Sequence, residues 1–229
     1  MKLGSKKLQT EATATGSERI LVKRRFTVVI FGSARIQAAD PHYQQVYRLA
    51  KAVGAQGWDV LTGGGPGLME AANMGVQDGR KDSDARSLGF NIELPQEQAA
   101  NRLLDIKKDF HLFSRRLDAF MALADAVVIA PGGVGTLLEF FYTWQLTQVR
   151  KIDRIPIILL GPMWADFMEW IHRWPLRNQL LSLEDFQNVF LVRSVPSVLR
   201  LIHTAYKAFQ AGQIHSCLEL KQQIRNLEC

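Results

Sequence analysis

Apolar runs that end at glycine alternate with helical patterns along this chain. FTVVIFG (26–32) and WDVLTGG (58–64) run straight into glycine, as fully buried parallel strands do. RSLGFNIEL (86–94), DAVVIA (125–130) and IPIILLG (155–161) read as further strands, and IKKDFHL (106–112) and NVFLV (188–192) as shorter ones. Helical patterns lie between them. Asp40-Pro41 opens one in N-cap and N1 style, with Val46, Leu49, Ala50 and Val53 at helical spacing. GLMEAANMGVQDG (67–79), FSRRLDAFMALA (113–124), a stretch ending near 148, MWADFMEWIHRW (163–174) and PSVLRLIHTAYKAF (196–209) complete the series. PQEQAANRLLD (95–105) reads as a loop. Such alternation predicts an α/β fold: a doubly wound, mostly parallel sheet with helices on both faces.

The chain of 229 residues fits one domain. Its net charge of +6 is unevenly placed. Residues 1–25 carry seven basic and two acidic side chains, and the remainder is nearly neutral. The expected organisation is a flexible basic tail over 1–25, one folded domain over 26–210 and a C-terminal helical tail over 211–229. A near-neutral domain argues against a nucleic-acid partner. No apolar run approaches the roughly 20 residues that span a bilayer, and the polar N-terminus lacks an apolar signal core, so a cytoplasmic location without membrane contact is expected. Cys217 and Cys229 form no disulfide framework, and His215 with Cys217 lacks a second ligand pair, so no metal is expected.

In doubly wound sheets, ligands bind beyond the carboxyl ends of the strands. Three strand ends stand out: FGSAR (31–35), TGGGPG (62–67) and PGGVGT (131–136). Glycine lets a backbone approach a ligand closely, and a helix N-terminus behind such a loop adds partial positive charge. Two such loops suit a phosphorylated ligand. Neither G-x-x-x-x-G-K-[ST] nor G-x-G-x-x-G is present, which disfavours a P-loop nucleoside triphosphatase and a dinucleotide dehydrogenase. Glu139 follows the second loop, within about the first turn of its helix, where the dipole favours its ionised form. The residues alone leave open whether it is only a charge partner of that terminus or acts on a sugar ring, as carboxylates do in glycoside hydrolysis.

GGGPGLMEAAN (63–73) together with PGGVGTLLE (131–139) resembles the LONELY GUY (LOG) family, which is also labelled "lysine decarboxylase-like". The first pattern is one residue shorter between glycines, as in the longer bacterial branch. FGSAR, GFNIELPQEQ (89–98) and the arginine fifteen residues before Pro131 also match, and the resemblance covers about residues 26–209.

The resemblance implies a Rossmann-like nucleotide-binding domain over 26–210 and a homodimeric hydrolase without a cofactor. It would cleave the N-glycosidic bond of a nucleoside 5′-monophosphate to free base and ribose 5-phosphate, with cytokinin ribotides and AMP among the substrates. By position Arg116 and Glu139 take the catalytic places, and Gly132, Gly133, Gly135 and Thr136 the phosphate loop. Ser33, Gly64, Gly65, Gly67, Arg115 and Pro131 join them as candidate substrate-binding residues. The family's Arg-Lys pair is here Arg116-Leu117 with Arg115 before it, which leaves the division between the two arginines open. A lysine decarboxylase is not expected, because no lysine stands at a strand end where it can hold pyridoxal phosphate. The alternative is a nucleotide-binding module of the same fold without turnover.

Overall fold

A computed structural model of the chain describes residues 25–93 and 100–212. Seven strands form one sheet: β1 (Thr27–Phe31), β2 (Asp59–Thr62), β3 (Ser87–Ile92), β4 (Ile106–Phe110), β5 (Ala126–Ile129), β6 (Ile157–Leu160) and β7 (Val189–Val192). Their order is β4-β3-β2-β1-β5-β6-β7, and every pairing is parallel. Helices α1 (Pro41–Ala55), α2 (Leu68–Gly79), α3 (Phe113–Leu123), α4 (Val134–Gln148), α5 (Met163–Ile171) and α6 (Val195–Gln210) connect them.

The strands alternate their side chains between two cores, as a period of two demands. Val28, Ile30, Val60, Val128 and Ile158 face α1, α2 and α6 through Leu49, Val53, Leu68, Val76 and Ile202. Val29, Phe31, Leu61, Val127 and Ile129 face the other way, onto Phe120 of α3, Phe140 and Trp144 of α4, and Trp164 of α5. Burial on both faces explains why the central strands are nearly unbroken apolar runs. Asp40 caps α1 as its position predicts, with its side chain accepting from the His42 amide at 2.8 Å.

Two elements differ from the pattern reading. β4 is exposed along Ile106, Lys107, Lys108 and Asp109, yet it pairs in full with β3 because it is a sheet edge held by backbone bonds. The helix predicted through Trp174 ends as an α-helix at Ile171 and continues as a wider π-type turn, His172–Leu176, containing Pro175, whose missing N–H breaks the regular ladder.

Arg25, which the charge distribution places at the end of the basic tail, belongs to the folded body. It bonds Asp59 from one side at 3.1 Å while Arg86 bonds the same fully buried carboxylate at 2.6 Å. Residues 1–24 and most of the segment 211–229, including His215, Cys217 and Cys229, lie outside the described residues, as do 94–99. No described helix is long and apolar enough to cross a membrane.

The topology fixes where a ligand can enter. The chain builds outward from β1 through β2, β3 and β4, then returns through α3 to place β5 on the other flank of β1. Connections therefore diverge beyond the carboxyl ends of β1 and β5, where Phe31 pairs with Ile129. That divergence opens a crevice.

Candidate functional site

A cleft of about 460 Å³ lies at this switch point. After β1 it is lined by residues from Phe31 to Arg35, and after β2 by Gly63 and Met69. Ile92 closes β3's side, Arg116 comes from α3, and Gly133, Val134, Gly135, Thr136 and Glu139 come from α4 and its approach.

The two residues expected to be catalytic meet here. Arg116 Nη1 lies 3.3 Å from Glu139 Oε1. Both side chains are almost buried, 9% and 12% exposed. Arg116 is held at further points: its Nε donates to the Phe90 carbonyl at 2.6 Å, and its guanidinium sits 5.1 Å from the centre of the Phe120 ring. A buried guanidinium with three kinds of partner has little freedom to swing toward a ligand.

Burial pushes the Glu139 carboxyl up to about 7, with Arg116 pulling the other way. The same burial lowers the Arg116 pKa, against the pull of Glu139. This corrects the expectation that the helix dipole holds Glu139 ionised. α4 starts at Val134, so Glu139 sits in the second turn, where the terminal field has faded and desolvation dominates. A carboxyl that titrates near neutrality at the floor of a cleft is suited to exchanging a proton with a bound molecule.

The loop before α4 presents the open end of that helix. Gly133 is the N-cap and supplies no side-chain cap, so the first amides of the helix have no intrahelical or capping partner among the described residues. A Cβ built on Gly133 or on Gly135 would meet nothing within 4 Å. Neither backbone has a positive φ. The fold itself thus sets no steric demand for glycine at these two positions. Thr136 is buried and its side chain occupies the space a Cβ on Gly132 would need, so Gly132 serves the packing of Thr136 and does not line the cleft. Pro131 is buried, and its carbonyl accepts from the Ser33 amide at 3.0 Å.

The other glycine loop behaves differently from expectation. Gly64, Gly65 and Gly67 are buried and stand behind the cleft wall. Gly64 and Gly67 have φ of 70° and 68°. The Gly64 amide donates to Thr62 Oγ1 at 2.9 Å, and Asn101 binds the Gly64 and Gly65 carbonyls through its amide and Nδ2, each at 2.9 Å. A Cβ on Gly67 would approach the Ser33 carbonyl oxygen to 2.5 Å. These glycines shape the turn; the one that touches the cleft is Gly63, where a Cβ would collide with Arg116 Nη2 and come within 2.6 Å of Met69 Sδ. Gly63 leaves the room that Arg116 occupies.

Arg115 does not join the site. It is exposed, because one residue along a helix turns the side chain by about 100° from its neighbour. Ser33 lines the cleft, and its hydroxyl accepts from the Arg35 amide at 3.1 Å. Sequence reasoning missed Arg35, Gly63 and Met69, although each lies inside or beside a quoted motif. His111 is exposed, pairs with Glu93 at 2.6 Å and does not line the cleft.

Residues 69–202 match a protein-family model described as "Possible lysine decarboxylase". Over 148 residues the chain is 31% identical to a pyrimidine/purine nucleotide 5′-monophosphate nucleosidase of Escherichia coli (strain K12). That match covers 59% of this chain and 31% of the nucleosidase, so the chain aligns with about a third of that relative's length. A cytokinin riboside 5′-monophosphate phosphoribohydrolase of Mycobacterium tuberculosis (strain ATCC 25618 / H37Rv) is 29% identical over 175 residues, 71% of this chain and 88% of that one. Among solved structures, a molybdenum cofactor binding protein from Rippkaea orientalis superposes with a TM-score of 0.58 at 22% identity, covering 80% of this chain and 98% of the other. The Moco carrier protein of Chlamydomonas reinhardtii gives 0.57 at 20%, covering 80% and 99%. At those identities the likeness establishes the fold.

Proposed function

The chain belongs to the LONELY GUY family, whose model is described as "Possible lysine decarboxylase", and from that premise we propose that it hydrolyses the N-glycosidic bond of nucleoside 5′-monophosphates. The observation that carries this reading is the Arg116–Glu139 pair, nearly buried at the floor of a cleft whose rim is an uncapped helix N-terminus. The relatives named for nucleotide monophosphate hydrolysis support the substrate class.

The substrate's 5′-phosphate sits against the amides that open α4, over Gly133 and Gly135, where backbone and ligand can approach without a side chain between them. The ribose then lies toward Glu139, one turn further along the same helix. As the C1′–N bond breaks, its electron pair leaves with the base and positive charge develops on the sugar. The Glu139 carboxylate stabilises that charge and accepts a proton from the attacking water, whose oxygen bonds C1′. The departing base takes up one proton from solvent and Glu139 releases the water's proton to solvent, so overall the elements of water are divided between the two products. Arg116 fixes the carboxylate's position and limits how far burial raises its pKa.

Decarboxylation of lysine does not fit the residues present. Such chemistry rests on a lysine Schiff base to pyridoxal phosphate, and no lysine among the described residues lines the cleft. We further assign the exposed face of α4 to a homodimer contact: Val134, Leu138 and Phe141 repeat at helical spacing, Val149 follows as the C-cap of the helix, and all four are exposed apolar residues. A monomer in sedimentation at micromolar concentration rules that contact out.

Incubation with a panel of nucleoside monophosphates, including AMP and isopentenyladenosine monophosphate, tests the reaction. The expected products are free base and ribose 5-phosphate in equal amounts. Nucleotide binding with no base released would instead identify a binding module without turnover.

A further inference from the structure

Among the described residues the cleft holds three formal charges: Arg35, Arg116 and Glu139. Arg116 is already engaged by Glu139, by the Phe90 carbonyl and by the Phe120 ring. A phosphate monoester brings about −1.5 to −2 charges near neutral pH, whereas a helix N-terminus offers only about half a positive charge. The phosphate position therefore lacks roughly one positive charge if Arg116 stays where it is.

Arg35 is the other cation of the cleft. Its guanidinium makes no ion pair or hydrogen bond with any described residue, while its backbone is fixed. The Ser33 amide donates to the Pro131 carbonyl at 3.0 Å, which ties the Arg35 turn to the loop that opens α4. The Leu68 amide donates to the Ser33 carbonyl at 2.9 Å, which ties it to the start of α2. The Arg35 amide donates to Ser33 Oγ at 3.1 Å and closes the turn. Gly67 permits the close packing, since a Cβ there would press on the carbonyls of this turn. A well-anchored backbone thus presents an unengaged cation at the cleft, on the strand end next to the α4 N-terminus.

We propose that Arg35 is the phosphate-recognition residue of this cleft, closing over the 5′-phosphate opposite the α4 amides and so selecting nucleotides over nucleosides. The assignment rests on the nucleotide reading of the site. It divides the two arginines by role: Arg116 serves the carboxylate and Arg35 serves the substrate. It also explains why an arginine stays exposed at the cleft while its neighbour from α3 is buried. Arg35 acts on binding, so its contribution belongs in KM more than in kcat.

The test compares wild type with Arg35→Ala and Arg35→Lys, using AMP as substrate and ribose 5-phosphate, inorganic phosphate and adenosine as competing ligands. Arg35→Ala should raise KM for AMP and the inhibition constant of ribose 5-phosphate by about 10- to 100-fold, with kcat changed less than about threefold. Arg35→Lys should recover part of the loss, because it restores charge without the fork. Adenosine affinity should not move. Parallel weakening of inorganic phosphate would place the contact on the phosphate group itself. Unchanged KM and unchanged ribose 5-phosphate inhibition in a folded Arg35→Ala protein would overturn the assignment. If wild type releases no base, calorimetric binding of AMP decides separately: retained AMP affinity in Arg35→Ala refutes the role of Arg35. Wild type that binds neither AMP nor ribose 5-phosphate refutes both this assignment and the nucleotide reading.

Discussion

The two glycine-rich loops look alike in sequence and do opposite things. In 62–67 the glycines are buried, two have positive φ, and side chains added at Gly63, Gly64 or Gly67 would strike the protein's own atoms. In 131–136 the two glycines nearest the cleft have ordinary backbones and open space beside them. The first loop needs glycine to fold. The second has no such need at Gly133 and Gly135, and its glycines face the cleft where a ligand's phosphate would lie. Composition cannot separate these cases; only the surroundings of each absent Cβ can.

Substitutions can break the comparison. Gly67→Ala forces a left-handed backbone onto alanine and drives its Cβ to 2.5 Å from the Ser33 carbonyl. We expect a loss of about 2–4 kcal/mol, lowering Tm by roughly 5–15 °C in a thermal melt. Gly63→Ala has an unstrained φ and meets only the ends of the flexible Arg116 and Met69 side chains. Its fold should survive with Arg116 displaced from Glu139, and kcat for base release should fall by about 10- to 100-fold in steady-state assays. Gly133→Ala should leave Tm within about 2 °C of wild type yet raise KM for AMP by about 10-fold, since its Cβ enters only the space assigned to the ligand. A Gly133→Ala melt as poor as that of Gly67→Ala would erase the distinction between the loops.

The smallest effect is pH-dependent. Because burial lifts Glu139 from 4.5 to about 7, the folded protein holds its proton over a window in which the unfolded chain has lost it. The sign follows: the unfolded state binds fewer protons between these values, so stability falls as pH rises through the window. Base release needs the carboxylate and should therefore rise with pH up to about 7 and then level off. Glu139→Gln should flatten the stability slope, as Tm measured across that pH range would show.

Most of the fold is legible in the sequence because parallel strands buried on both faces must be apolar along their length. Val28 to Phe31 and Val127 to Ile129 show this directly. The edge strand Ile106–Phe110 is less legible, since its backbone does the pairing and its side chains face water. In the site, Glu139 and Arg116 were visible as motif positions, but not their burial, which arises where α3, α4 and the ends of β1 and β3 converge. Arg115 and Arg116 are adjacent letters, and helical phase alone sends one outward and the other to the cleft. Gly63 gains its importance from Arg116, a residue far along the chain. Arg35 was overlooked because an exposed arginine after a strand looks like any solvated charge until the sheet order brings it beside the α4 terminus.

Glu139→Gln bears most directly on the central claim, that the carboxylate behind the second glycine loop performs glycosidic cleavage. The variant keeps the shape and a hydrogen-bond acceptor for Arg116 but removes the charge that the proposed reaction needs. Single-turnover base release from AMP should fall by about 10²- to 10⁴-fold while AMP binding, measured by calorimetry, stays within a few-fold of wild type. Full base release by a folded Glu139→Gln protein would contradict the account.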